Sequence, residues 1–211
     1  MKQILDGSSI IAVGGWNPQI FSPDWIKKHL CDDQNCQIEL AVPVNSPATQ
    51  PRLSFEGVHM FVNPARLELK PQSQDNESFK KCSELLKKIL MTLNHTPITS
   101  FGVNLSFVSD GDHGDVIPKF VFNDIASFDA DSNKLVKTSI QRAFKQQDDS
   151  VMNFTVSIEN DTVVISFNYH HDVADANVCK EKLCKNIVSE YEKNSRSILE
   201  TVYEIQVNAE E

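Results

Sequence analysis

Glycine is scarce in this chain, seven residues in 211. A phosphate-cradling loop needs several in a fixed pattern, and no P-loop and no GxGxxG after a strand occurs. GxSxG and HExxH are missing as well, so the common hydrolase signatures are absent. Long apolar runs are lacking too: nothing approaches the roughly 18 residues of a membrane-spanning helix. Basic clusters go no further than the pairs Lys27-Lys28, Lys80-Lys81 and Lys87-Lys88. With 20 basic against 29 acidic residues, the net charge is −9. Such a surface repels a phosphate backbone, which disfavours nucleic acid as a partner. The opening residues, MKQILDGSSIIAVGGW, carry one lysine and a broken apolar run, so no secretory leader and no membrane association are expected.

Cysteine is present but does not read as a scaffold. There are five: Cys31, Cys36, Cys82, Cys179 and Cys184. The number is odd, and Cys82 falls on the apolar side of a helical pattern, as a buried free thiol does. Two C-x4-C spacings lack the matching geometry of a zinc site, and helix positions five apart do not share a face. Five free thiols, no disulfide and no cofactor are the expectation, in a reducing compartment, the cytoplasm.

The periodicity outlines one α+β domain over residues 1–205 with a loose acidic tail at 206–211. Residues 8–13 read as a strand. Ser22-Pro23-Asp24 is a helix start: serine caps, proline fits the first turn, aspartate suits the positive end of the dipole. Phe21 and Ile26 have the spacing of a hydrophobic staple. Residues 37–42 read as a strand, then Pro43, Pro47 and Pro51 stiffen a loop. RLSF at 52–55 and the run from Val58 to Lys70 are strand-like. Phe79, Cys82, Leu86, Ile89, Leu90 and Leu93 form a helical stripe over 77–94. Phe101, Val103, Leu105 and Phe107 alternate as a half-buried strand. Residues 134–145 fit either periodicity, with strand favoured because a hairpin follows. A second helix is expected over 178–203, with Leu183, Ile187, Tyr191, Ile198 and Val202 as its stripe. No internal repeat is visible.

The hairpin is the best-specified element. With Asn160-Asp161 as the turn, Ile158 pairs with Val163 and Phe154 with Phe167, and all the apolar residues share one face. The fold class follows: a mostly antiparallel sheet with two long amphipathic helices packed on one face.

Two clusters could carry chemistry. The first is Tyr169-His170-His171-Asp172-Val173-Ala174-Asp175, where a core strand gives way to a helix. Alternation turns His171 to the apolar face and His170 to the other. An inward histidine beside an aspartate can serve as a general base. The spacing His170-His171-x-x-x-Asp175 resembles the HHxxxD motif of chloramphenicol acetyltransferase and the condensation-type acyltransferases. Ala176 stands where that family has glycine. The resemblance implies His171 as the base that deprotonates an acceptor and Asp175 as its orienter. The alternative is that His171 ends a strand while Asp175 or Asn177 caps the last helix. The second cluster is Asp110, Asp112, His113 and Asp115, which could hold a divalent cation or form an ordinary polar turn.

The absence of catalytic signatures points to a binding or regulatory protein without catalysis, such as an adaptor, inhibitor or assembly subunit working through protein–protein contacts. The alternative is a small enzyme using His171 as general base, acyltransferase-like or a metal-assisted hydrolase. Val58, Met60 and Val62 suggest an apolar edge that a second copy would cover, so a homodimer is expected.

Overall fold

A computed structural model describes residues 1–33, 35–42, 51–109, 116–120, 135–160, 162–184 and 186–208. Its centre is a nine-stranded, wholly antiparallel sheet. The strands are β1 (Lys2–Gly14), β2 (Glu39–Ala41), β3 (Arg52–Phe55), β4 (Val58–Asn63), β5 (Arg66–Pro71), β6 (Ile98–Val108), β7 (Lys137–Lys145), β8 (Val151–Glu159) and β9 (Thr162–Asp172). Four α-helices join them: α1 (Pro23–His29), α2 (Asn76–Thr92), α3 (Ala176–Leu183) and α4 (Ile187–Ser197). None of the described helices is long and apolar enough to cross a membrane.

The strand order is β2-β3-β4-β5-β1-β6-β9-β8-β7. Read from the β1–β6 pair outward, the two halves repeat one plan. A long strand leads, through a helical segment, into a meander whose last strand returns beside the first, and a helix follows; the meander has four strands in the first half and three in the second. The sequence showed no such repeat because the halves share topology rather than residues. The helix caps do correspond: the Asp75 carboxylate accepts from Ser78 N, and the Asp175 carboxylate accepts from Asn177 N and Val178 N.

Alternation in each strand combines with register to make apolar rows across the sheet. One row is Leu53, Met60, Leu69, Ile10, Val103, Tyr169, Met152 and Phe144, each paired with its neighbour on the next strand. All but Phe144 are buried. The stripes of α2, α3 and α4 cover this face. Each fully buried large apolar side chain stabilises by about 1.5–3 kcal/mol relative to exposure. The hairpin register is as expected: Ile158 pairs with Val163 and Phe154 with Phe167, whose rings meet edge-on at 5.2 Å. Asn160 takes φ 48, which asparagine tolerates, and Asp161 lies outside the described residues. Residues 137–145 are strand, as favoured.

The opposite face is polar at its centre. Asn153 Nδ2 donates to Asn168 Oδ1 (3.0 Å), Asn168 Nδ2 to Asn104 Oδ1 (2.8 Å), and Asn104 Nδ2 to Ser9 Oγ (3.0 Å). Four strands are thus stitched by side chains running in one direction. β1 bulges between Ile4 and Ser9, and Gly7 there lies so close to Ser106 that a Cβ would meet its Oγ at 2.0 Å. In the β3–β4 turn both residues have positive φ, Glu56 at 45 and Gly57 at 78, the requirement of a tight hairpin.

Several expectations are corrected. The helix at 178–203 is not continuous. It breaks at Asn186, which adopts a left-handed conformation (φ 56), and it ends in a wider π turn at Ile198–Val202. The π turn shifts the phase of the stripe, so Leu199 is buried and Val202 is exposed. Two long amphipathic helices are therefore not what covers the sheet; α2 does so with the shorter α3 and α4. Val58 and Met60 are fully buried, because β4 lies between β3 and β5 rather than at an edge. Cys31 and Cys36 form a disulfide, with Cα atoms 6.2 Å apart, while Cys82, Cys179 and Cys184 are free. The polar loop between these two cysteines turns them toward each other, which spacing alone did not reveal. Gln206 and Asn208, in the segment expected to be loose, both hydrogen-bond to Met1.

Candidate functional site

His171 sits at the end of β9 on the apolar face, as alternation requires, and is only 2% exposed. Its ring stacks on Phe101, the cross-strand partner on β6, with centroids 4.4 Å apart and planes 5° off parallel. Its Nε2 lies 2.7 Å from Tyr191 Oη on α4. The left-handed Asn186 starts α4 in the direction that brings Tyr191 over this strand end, where it also stacks on Tyr169 with centroids 3.9 Å apart.

Beyond Tyr191 lies the β7–β8 turn. Gln146 N bonds to Ser150 O at 2.8 Å, and Asp149 takes φ 64. This closed turn sets the Asp148 carboxylate against Tyr191. The Tyr191 hydroxyl donates to Asp148 Oδ2, while Asp148 Oδ1 accepts from Ser150 N (3.0 Å) and Ser150 Oγ (2.6 Å). Because Tyr191 gives its one proton to Asp148, its oxygen must accept from His171. The imidazole therefore carries its proton on Nε2. Nδ1 is left as a buried lone pair with no partner among the described residues.

The charges agree with this arrangement. Burial drives the His171 pKa down to about 4, opposed by the Asp148 charge and assisted by Lys182 and His170. For Asp148, burial alone would raise the pKa; the hydrogen bonds from Ser150 and Tyr191 outweigh it and hold the carboxyl at about 2. Burial, and then donation to Asp148, push Tyr191 above the ordinary phenol range. At neutral pH the group is thus carboxylate, phenol and neutral imidazole.

Asp175 does not join this group. Its Oδ1 caps α3, 2.8 Å from Asn177 N and 3.0 Å from Val178 N, and neither nitrogen of His171 bonds to it. His170 faces the other side of the sheet, with Nε2 3.1 Å from Asp172 Oδ1. Asp110, Asp112, His113 and Asp115 lie outside the described residues. Sequence reasoning did not single out Asp148 and Ser150, and it placed Tyr191 only as part of an apolar stripe. The one available signal was that a buried tyrosine hydroxyl wants a partner.

A general base needs a free nitrogen within hydrogen-bond reach of its substrate. Nε2 is committed to Tyr191, and His171 is 2% exposed. The network is built to hold the β9 end, α4 and the β7–β8 turn together.

The other candidate is the end of the sheet. β7 pairs with β8 on one side and closes the strand order. Seven of its nine residues are exposed, including Phe144 at 43%, with Val136 at 68% just before it. Among the described residues no strand pairs with its other side, so its backbone groups there form an open template. An open depression on the molecule is lined by Asp24, Lys27, Lys28, Cys31 and Asp32 and shares no residue with the His171 network. Among the described residues, Cys31, Cys36 and Glu56 bring three ligand atoms within 4.8 Å of one another. The two sulfurs are bonded to each other, however, and Glu56 is paired with Lys81 at 2.8 Å. No protein-family model matches this sequence, and no curated protein is similar to it.

Proposed function

We propose that this chain is a non-catalytic binding or regulatory protein that acts through protein–protein contacts at the free edge β7. The observation that carries this reading is a nine-residue edge strand with an exposed phenylalanine, beside a buried histidine already committed to Tyr191. Long, exposed edges with apolar side chains are sites where another chain adds. The homodimer was expected from Val58, Met60 and Val62 as an apolar edge, and the place of β4 between β3 and β5 removes that ground. A different protein is therefore the favoured partner. The cytoplasm remains the proposed compartment on the three unpaired cysteines, two of them buried; the Cys31–Cys36 pair stands against it.

A photo-crosslinking residue at Ser139 or Gln141 on β7, introduced in the native host, tests the reading against one at the exposed Met91 on α2. A discrete adduct at the strand positions and none at Met91 is expected. Equal crosslinking at all three positions, or none on β7, would sink it. A second reading, a small enzyme with His171 as general base, has one observation in its favour: the buried lone pair of Nδ1 has no partner among the described residues.

A further inference from the structure

β7 differs in charge from the rest of the protein. In a chain of net charge −9, the strand KTSIQRAFK carries Lys137, Arg142 and Lys145 and no acid. Register divides its side chains between the two faces. Thr138, Ile140, Arg142 and Phe144 pair with Ile158, Val156, Phe154 and Met152, so they lie on the helix-covered face. Lys137, Ser139, Gln141, Ala143 and Lys145 lie on the open face. The edge is thus partly apolar on one side and cationic at both ends of the other.

Resting on the reading above, we infer that β7 takes as its tenth-strand partner an extended acidic segment of another protein. That segment has carboxylates on one side, to meet Lys137 and Lys145, and apolar residues on the other, to cover Phe144 and Ile140. Directly opposed unlike charges stabilise a strand pair and like charges destabilise it. Lys137 and Lys145 already touch Glu159 (3.2 Å) and Asp149 (3.1 Å), but both pairs are solvent-exposed, so they are weakly held and open to exchange. Arg142 is occupied by the Tyr203 hydroxyl at 2.9 Å and contributes field rather than a free contact. The same lysines argue against a second copy. Antiparallel pairing of β7 with itself about Gln141 would set Lys137 against Lys145 at both ends.

The test uses the full chain and two labelled nine-residue peptides, one alternating glutamate with valine and one alternating lysine with valine, with binding read by fluorescence anisotropy. The glutamate peptide binds at least about tenfold more tightly than the lysine peptide, as two favourable cross-strand pairs allow. Its binding weakens as ionic strength rises, and the K137E/K145E variant reverses the preference. Amides of β7 gain protection from hydrogen exchange only with the glutamate peptide. Equal binding of the two peptides, no binding of either, or salt-independent binding overturns the inference using the wild-type protein alone. A wild-type dimer in light scattering that competes with the glutamate peptide also overturns it, by placing a second copy on the edge. Crosslinking at β7 in cells together with failure of the glutamate peptide would reject the acidic partner while leaving the binding function standing.

Discussion

His171 Nε2 and Tyr191 Oη lie 2.7 Å apart, and the direction of their hydrogen bond is set from the far side, where Tyr191 gives its own proton to Asp148. One phenol therefore serves a buried imidazole and an exposed carboxylate at once. Tyr191→Phe removes both bonds and leaves the buried imidazole N–H short of a partner, while the exposed carboxylate turns to water. The expected loss is about 1–3 kcal/mol, read as a lower urea midpoint with an unchanged slope. A change within about 0.5 kcal/mol, ordinary for a surface site, would show that the phenol bridge is not made.

The same network gives stability a specific pH dependence. The folded pKa of His171 lies near 4, below its ordinary 6.5, so the unfolded chain takes up a proton that the folded chain refuses. The stability that the neutral imidazole provides is full above pH 6.5 and is lost as pH falls from 6.5 through 4, on the order of 3 kcal/mol in all. Asp148, lowered from 3.8 to about 2, adds a second loss below pH 3.8. Urea midpoints between pH 7.5 and 4.5 check the first window, and His171→Phe should flatten it. Imidazole NMR signals of His171 that titrate near pH 6.5 would contradict the buried neutral ring.

Asp175 separates the capping role from the catalytic one that the HHxxxD resemblance implied. With its carboxylate on the first amides of α3, Asp175→Ala should cost about 1 kcal/mol and Asp175→Ser much less, since serine also caps. The titration of His171 should be the same in both variants. A shift in that titration would mean that Asp175 acts on the imidazole after all.

What could be read from the sequence was what repeats locally. The β8–β9 register followed from a two-residue turn and the alternation of Phe154, Val156, Ile165 and Phe167. The start of α1 followed from Ser22-Pro23-Asp24, and the inward turn of His171 from parity alone. What escaped depended on contacts distant in sequence. Tyr191 and Asp148 are 43 residues apart, and no local pattern couples a turn to a helix. The break at Asn186 left no mark on the stripe, because Leu183, Ile187 and Tyr191 are buried on both sides of that one left-handed residue. Val58 and Met60 alternate as an edge strand would, and only the strand order places them inside the sheet.

The Cys31–Cys36 disulfide closes a short loop whose contents are pinned to the rest of the fold. Between the two cysteines, Asp32 accepts from Lys81 and Lys88 on α2, while its backbone N–H donates to Glu56 Oε1 in the β3–β4 turn at 2.7 Å. The two lysines hold the Asp32 carboxyl at about 2. Since the folded loop has these other anchors, the crosslink should act mainly by restricting the unfolded chain. For a sequence separation of five, that restriction is worth about 2 kcal/mol. Cys31→Ser and Cys36→Ser should each lose this amount, and the double variant should lose no more than either, because one bond is removed in all three. Denatured protein alkylated without reductant should carry three labels, on Cys82, Cys179 and Cys184. Five labels, together with additive losses in the serine variants, would mean that the two sulfurs are neighbouring thiols rather than a bond.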